Sequence, residues 1–231
     1  MAFQGYTQQT VDFMWGIRFN NERGWFLEHK DDYINTFLTP TRELGEQVYD
    51  AVHALLPDEP LMLKVSRIYR DARRLFGRGP YKDHLWWCIR TGDKDWTGRP
   101  TFWFELGPDY YSFGLGFWSP AAALMETYRK QIDAHPEELS KLVRQFNRQS
   151  VFTLDGPEYA RSKGQTSDLL RPWYQKKSLS LRWEGPLDER IFTSALAEDI
   201  IDGFKTLIPF YHYFNKLVSL TPRQERRGEG A

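Results

Sequence analysis

Between Lys64 and Lys82 the chain carries Lys64, Arg67, Arg70, Arg73, Arg74, Arg78 and Lys82 against a single acid, Asp71, a net charge of +6. The whole chain holds 31 basic and 31 acidic residues, so the remainder is acidic by about the same amount and the positive field is concentrated here. Arginine makes paired hydrogen bonds to carboxylate and phosphate, and a nearby ring stacks on what the arginine holds. Arg67, Arg70, Arg73 and Lys82, with Tyr81 and, from earlier in the chain, Arg23 and Trp25, are therefore the candidate ligand-binding set. They are expected to converge on one concave surface. The competing reading is that these cations pair with acids of the first helices or face water, as exposed charge runs commonly do. Asp71, alone among cations, is expected to pair with a neighbouring arginine and stay ionised. It is also the one carboxylate of the segment that could serve as an acid or base.

Other chemistries find less to work with. The histidines, His29, His53, His84, His135 and His212, have no zinc-helix spacing, and Cys88 has no partner cysteine, so no metal site is expected. His29 reads as a hydrogen-bonded core residue; His84, just after Tyr81 and Lys82, is the better functional candidate. No Gly-x-Ser-x-Gly elbow is present, and Gly77-Arg78-Gly79 lacks the Lys-Ser/Thr of a phosphate loop, so no cofactor is called for. Cys88 lies in the apolar run Leu85-Trp86-Trp87-Cys88-Ile89, where a thiol is inert packing, and a lone cysteine fits a reducing compartment. The first residues show no signal peptide, and no apolar run approaches the roughly 18 residues of a membrane span. A cytoplasmic protein off the membrane is expected. Its neutral balance argues against broad nucleic-acid binding, and its oligomeric state is not legible.

The elements that must position these residues read as follows. Thr10 caps a short helix carrying Phe13, Met14 and Ile17, and Asn20 or Asn21 caps a second. Trp25, Phe26, His29, Tyr33 and Phe37 then share one helical face, and a third helix begins at Pro40, buries Leu44, Val48, Val52 and Leu55, and stops at Leu56-Pro57-Asp58. Extended chain follows over 61–69, then a loop at Gly77, Gly79 and Pro80. Strands are expected over 85–90 and 101–106, and after the Gly107-Pro108-Asp109 turn Tyr111, Phe113, Leu115 and Phe117 alternate with Ser112, Gly114 and Gly116. The small residues of that second face leave room for a helix or a ligand. Ser119-Pro120 starts a helix with Leu124, Tyr128 and Ile132, and Pro136 starts another with Leu139, Leu142, Val143 and Phe146. Residues 151–175 read as irregular, and Leu179, Leu181 and Trp183 as a late strand. Ser194 caps a long last helix kinked at Pro209, and a charged, disordered tail runs from Thr221 to Ala231. The pattern is one α+β domain over 1–220, a mainly antiparallel sheet packed by N-terminal and C-terminal helices. Aromatic residues make up 16% of the chain; most are read as core and a minority as lining a cleft.

Asn20-Asn21-Glu22-Arg23-Gly24-Trp25-Phe26, Lys30 and Tyr33, then Arg67-Ile68-Tyr69-Arg70-Asp71-Ala72-Arg73 and Pro80-Tyr81-Lys82, resemble the motif blocks of the DUF2461 family. Phe113 to Ser119-Pro120, Lys177-Ser178-Leu179, Pro186-Leu187 and the Pro209 helix resemble its later parts, so the likeness covers roughly residues 9 to 218. The family is a domain of unknown function, and the resemblance implies no activity. Where members often read Arg-Phe-Ser-Lys-Asp-Lys-Thr-Pro-Tyr-Lys, this chain reads Arg73-Arg74-Leu75-Phe76-Gly77-Arg78-Gly79-Pro80-Tyr81-Lys82. Roles of the replaced side chains do not carry over, although Arg78 keeps a cation in the loop. The residues leave open a module that binds a phosphorylated or carboxylated ligand, an enzyme acting on a phosphoester or similar anion with Asp71 as acid or base, and a surface for protein or nucleic-acid contact. The first is favoured, because no paired carboxylate, nucleophile or metal set accompanies the arginines.

Overall fold

The computed structural model describes residues 2–222, apart from the side chain of Arg74. The charged tail expected from Thr221 lies, from residue 223 on, outside the described residues. The chain is α+β. Helix α1 (Gln8–Phe19) and the short α2 (Arg23–Glu28) lead into α3 (Lys30–Asp32), π-helical turns over Tyr33–Leu38, and α4 (Thr39–Leu55). Strands β1 (Leu61–Val65), β2 (Leu85–Thr91), β3 (Pro100–Leu106) and β4 (Tyr111–Phe117) follow. Then come α5 (Ala122–Ala134), α6 (Pro136–Phe146), β5 (Thr153–Asp155), α7 (Arg171–Tyr174), β6 (Ser180–Gly185) and the long α8 (Ala195–Leu220). One six-stranded sheet has the order β1-β2-β3-β4-β6-β5, antiparallel throughout.

The helices pack on one face of this sheet. Leu85, Trp87 and Ile89 of β2, Phe102 and Phe104 of β3, Phe113 and Leu115 of β4 and Leu181 of β6 are cross-strand neighbours in register, all buried. Phe204 of α8 lies edge-on to Trp87, at 6.4 Å, and tilted against Phe102, at 4.8 Å. Each such ring removes a large apolar area from water, which is why the aromatic content is mostly core.

Proline punctuation in the sequence misplaces several boundaries. Pro40 lies in the first turn of α4, as expected, but the chain before it is already helical, so that Lys30 to Leu55 runs without a break. Proline removes the N–H that would reach the carbonyl four residues earlier, here Thr36. That carbonyl instead accepts the buried Thr10 hydroxyl of α1, at 2.6 Å. Thr10 is thus not the cap of α1. Thr7 holds that position, and its N–H donates to the Thr10 hydroxyl. Ser119 and Pro120 precede α5, whose N-cap is Ala121. Pro209 lies inside α8, where it was expected; Ser194 sits at the N-cap position of that helix but makes no side-chain cap bond. Leu55 is exposed and Leu56 takes the buried place. The stretch 151–175, read as irregular, contains β5 and α7.

Candidate functional site

The basic segment folds as a pinched loop. Tyr69 and Tyr81 form an antiparallel bridge, with the Arg70 N–H on the Pro80 carbonyl at 2.8 Å and the Lys82 N–H on the Ile68 carbonyl at 2.7 Å. Asn21 locks the far strand of this loop: its amide nitrogen donates to the Tyr81 carbonyl and its amide oxygen accepts the Tyr81 N–H, both at 2.9 Å. A side chain at Gly79 would collide with Asn21, its Cβ falling 2.2 Å from the amide oxygen. Neither Asn20 nor Asn21 caps α2; Glu22 takes that position and Asn21 is committed to the loop.

The expected site residues differ in burial and in the partners they hold. Tyr81 is buried, stacked on Phe26 at 4.3 Å and beside Tyr69 at 5.3 Å, and is a core ring. Trp25 turns into the helical layer, stacking on His29 at 3.9 Å and lying against Gly16. His29 donates its Nδ1–H to the Trp25 carbonyl at 2.9 Å, so its hydrogen bond stays within α2. Arg73 is exposed and makes a two-pronged pair with Asp71, at 3.0 and 2.9 Å. Arg23 and Arg67 are exposed. Arg70 is half-buried: its Nε donates to the Tyr81 carbonyl at 2.8 Å, and a terminal nitrogen faces Asp83 at 3.9 Å. Charge couples several of them: Arg70 and Arg67 act on Lys82, and Arg23 acts on the Tyr81 hydroxyl. Burial first, then Arg70 and Arg67, lower the Lys82 ammonium below its usual range, and Glu105 opposes them.

Asp83 ties the base of this loop to α1. It accepts Arg18 Nε at 2.6 Å and His84 Nδ1 at 2.9 Å, and Arg18 also reaches Asp109 at 3.1 Å. Hydrogen bonds from His84 and then Arg18 hold the Asp83 carboxyl far below the usual carboxylate range, against the opposing effect of burial. A depressed carboxylate stabilises the fold fully above its unfolded pKa, near 4, and that contribution is lost as pH falls below it. Asp83→Asn is expected to cost about 2 kcal/mol at pH 7, because Arg18 and His84 lose their common partner. Melting curves at pH 7 and pH 3 test this, the deficit of the variant shrinking at the lower pH.

Lys82 leads away from the loop to the other face of the sheet. Its ammonium lies 5.6 Å from the centre of the Trp86 ring, and Trp86 is one wall of a cavity of about 290 Å³. Trp96, Trp103 and Trp118 are further walls, and no α-helical residue lines it. Polar groups reach the same space. Arg182 runs 5.9 Å above the Trp103 ring and is anchored by Asp155, at 3.6 Å, and Glu184. Glu105 accepts the Tyr110 hydroxyl. Ser112 is 1% exposed, and its hydroxyl has no hydrogen-bond partner among the described residues. Arg90 stacks 4.6 Å from Trp96 and keeps a buried, unpartnered Nε.

Sequence alternation points at this face through Ser112, Gly114 and Gly116, but the reason for the glycines differs from the expected one. A Cβ on Gly114 would fall 2.1 Å from the Leu181 carbonyl oxygen, and one on Gly116 2.5 Å from that of Leu179. They are small because β6 approaches closely, and Gly116 lines the cavity as a consequence. Trp86, Trp103 and Arg182 escape motif reading because only the register of β2, β3, β4 and β6 gathers them. Cys88 lines the cavity, yet burial pushes its thiol up to about 11. At pH 8 it is expected to react with Ellman's reagent about a hundredfold more slowly than a free cysteine; a rate near the free value would show an accessible thiolate.

No group of three or more metal-binding side chains forms among the described residues, and none of their helices is long and apolar enough to cross a membrane. A comparison with curated proteins found no match. The sequence model of DUF2461, described as a conserved hypothetical protein, matches residues 9–213 of the 231. That span takes in the Asn21-clamped loop, all six strands and most of α8, and the chain belongs to the DUF2461 family.

Proposed function

We propose that the chain is a binding module whose site is the tryptophan-lined face of the sheet, and that it takes a flat ring bearing a carboxylate or phosphate. The observation that carries this is four tryptophans around one cavity of about 290 Å³ with Ser112, buried and unpartnered, in its wall. Cavities of this size that combine apolar walls with a few placed polar groups are characteristic of small-molecule sites. The ring stacks on Trp103 or Trp86, and the acidic group meets Lys82 at the rim. This retains an Arg/Lys–aromatic pocket but builds it from Lys82, Trp86, Trp103 and Arg182 rather than from Arg23, Trp25, Arg67, Arg70, Arg73 and Tyr81. Acid–base catalysis by Asp71 draws no support from the geometry, since both its oxygens accept from Arg73.

Tryptophan fluorescence tests the reading, with nucleotides and aromatic carboxylates compared against acetate and inorganic phosphate. Ring-bearing anions are expected to quench the parent saturably, with Trp103→Ala and Lys82→Ala each weakening binding at least tenfold. Raising salt weakens the contribution of Lys82, at the rim, more than the ring stacking. If no ring-bearing anion changes the parent's fluorescence, or if the two variants bind like the parent, the site is not here.

A further inference from the structure

A second cationic cluster lies outside the cavity and does not depend on the reading above. Three cations from separate parts of the chain surround the ring of Tyr159. Lys163 Nζ lies 4.4 Å from its centre, the Arg129 guanidinium of α5 5.1 Å, and Lys177 Nζ 5.6 Å. One ring's negative face attracts a cation, but it does not neutralise three. Among the described residues none of the three forms a salt bridge, although the cation next in sequence to two of them does. Lys130 binds Glu126 at 2.7 Å, and Lys176 binds Glu158 at 2.9 Å. The nearby acids are thus already committed: Glu126 to Lys130, Glu158 to Lys176, and Asp133 to the Tyr174 hydroxyl at 3.1 Å. Arg129 also keeps a terminal nitrogen, Nη1, buried with no hydrogen-bond partner. An unmet charged donor is costly, and a charge-assisted bond to an oxyanion would meet it.

The cluster is held in place by backbone. The Tyr159 N–H donates to the Gln175 carbonyl at 3.0 Å and the Lys177 N–H to the Pro157 carbonyl at 2.7 Å, on either side of the Glu158–Lys176 bridge. Lys176 Nζ crosses back to the Gly156 carbonyl at 3.0 Å, and the Lys163 N–H reaches the Gln175 side chain at 3.3 Å. Two lysines and an arginine pre-positioned about one ring, with no carboxylate in a salt bridge to any of them among the described residues, match a group with several acceptor oxygens and close to two negative charges.

We infer that Arg129, Lys163 and Lys177, arranged about Tyr159, form a binding site for a phosphoryl group. The group comes either as free phosphate or as a phosphate ester on a larger molecule. Titration calorimetry of the full chain separates the two, using inorganic phosphate, pyrophosphate and a phosphoserine peptide, with sodium chloride at equal ionic strength as the blank. Saturable binding is expected, weakened at least tenfold in the double variant Lys163→Ala/Lys177→Ala and unchanged in Lys205→Ala, whose lysine is paired with Asp202. Both lysines are exposed, so the double variant is expected to fold, and circular dichroism checks it. Tighter binding of the peptide than of phosphate assigns an esterified group; tighter binding of phosphate or pyrophosphate assigns a free one. The inference is overturned if none of the phosphate probes gives more heat than the chloride blank, or if binding survives the double substitution.

Discussion

Trp87→Ala is expected to remove about 3–5 kcal/mol of stability, the range for emptying a large aromatic site in a packed core. Trp87 is fully buried, stacked on Phe104 at 5.4 Å and edge-on to Phe204 of α8 at 6.4 Å. Gly45 of α4 closes over it, since even a methyl there would come within 3.3 Å of the indole. Helices on either side therefore prevent the gap from collapsing. Trp87→Phe is expected to behave differently. The indole N–H has no hydrogen-bond partner among the described residues, so exchanging it for a hydrocarbon edge relieves a buried donor while costing part of the volume. A loss of about 1.5 kcal/mol or less is expected for that variant. Urea unfolding of both decides the matter: equal, large losses would mean that the indole nitrogen is bonded in solution.

The second large effect is at the seam between β4 and β6. Gly114→Ala places a methyl 2.1 Å from the Leu181 carbonyl oxygen and 3.2 Å from the Arg182 Cα, and neither is a flexible side-chain end. The strands must part for it to fit, so a loss of about 3 kcal/mol or more, or a failure to accumulate folded protein, is expected. Gly24→Ala is the matched control. Nothing lies within 4 Å of that position, and alanine is the better helix former by about 1 kcal/mol, so α2 is expected to gain slightly. If Gly114→Ala melted like the parent, the close approach of β6 would not be what demands glycine there.

The sheet was legible because side chains of a strand point to opposite faces in turn, and β4 alternates the large Tyr111, Phe113, Leu115 and Phe117 with the small Ser112, Gly114 and Gly116, although all seven are buried. The helices were legible as apolar faces but not at their ends. Pro40 marks the start of α4 but not of helical chain, and the compensation for its missing N–H, the Thr10 hydroxyl on the Thr36 carbonyl, joins residues 26 apart. The α+β class and the family followed from blocks that are contiguous in sequence. The candidate site did not. Charge density led to the segment 64–82, where Arg70 satisfies the loop's own Tyr81 carbonyl and Arg73 its acid. Lys82 reaches toward the tryptophan cavity, its ammonium 5.6 Å from the Trp86 ring centre, because the Tyr69–Tyr81 bridge hands it across to β2.

That β2 carries Trp87 inward and Trp86 outward has an engineering consequence. Adjacent positions on one strand line different spaces, the helix-covered core on one side and the tryptophan cavity on the other. Trp86, Trp103, Glu105, Ser112 and Arg182 can in principle be exchanged as a set while Trp87, Phe102, Phe104, Phe113 and Leu181 stay untouched. A library confined to the outward positions would vary the shape and charge of the cavity on a constant framework, much as grafted loops do on an antibody sandwich, but here with the variable surface built on strands whose spacing is fixed.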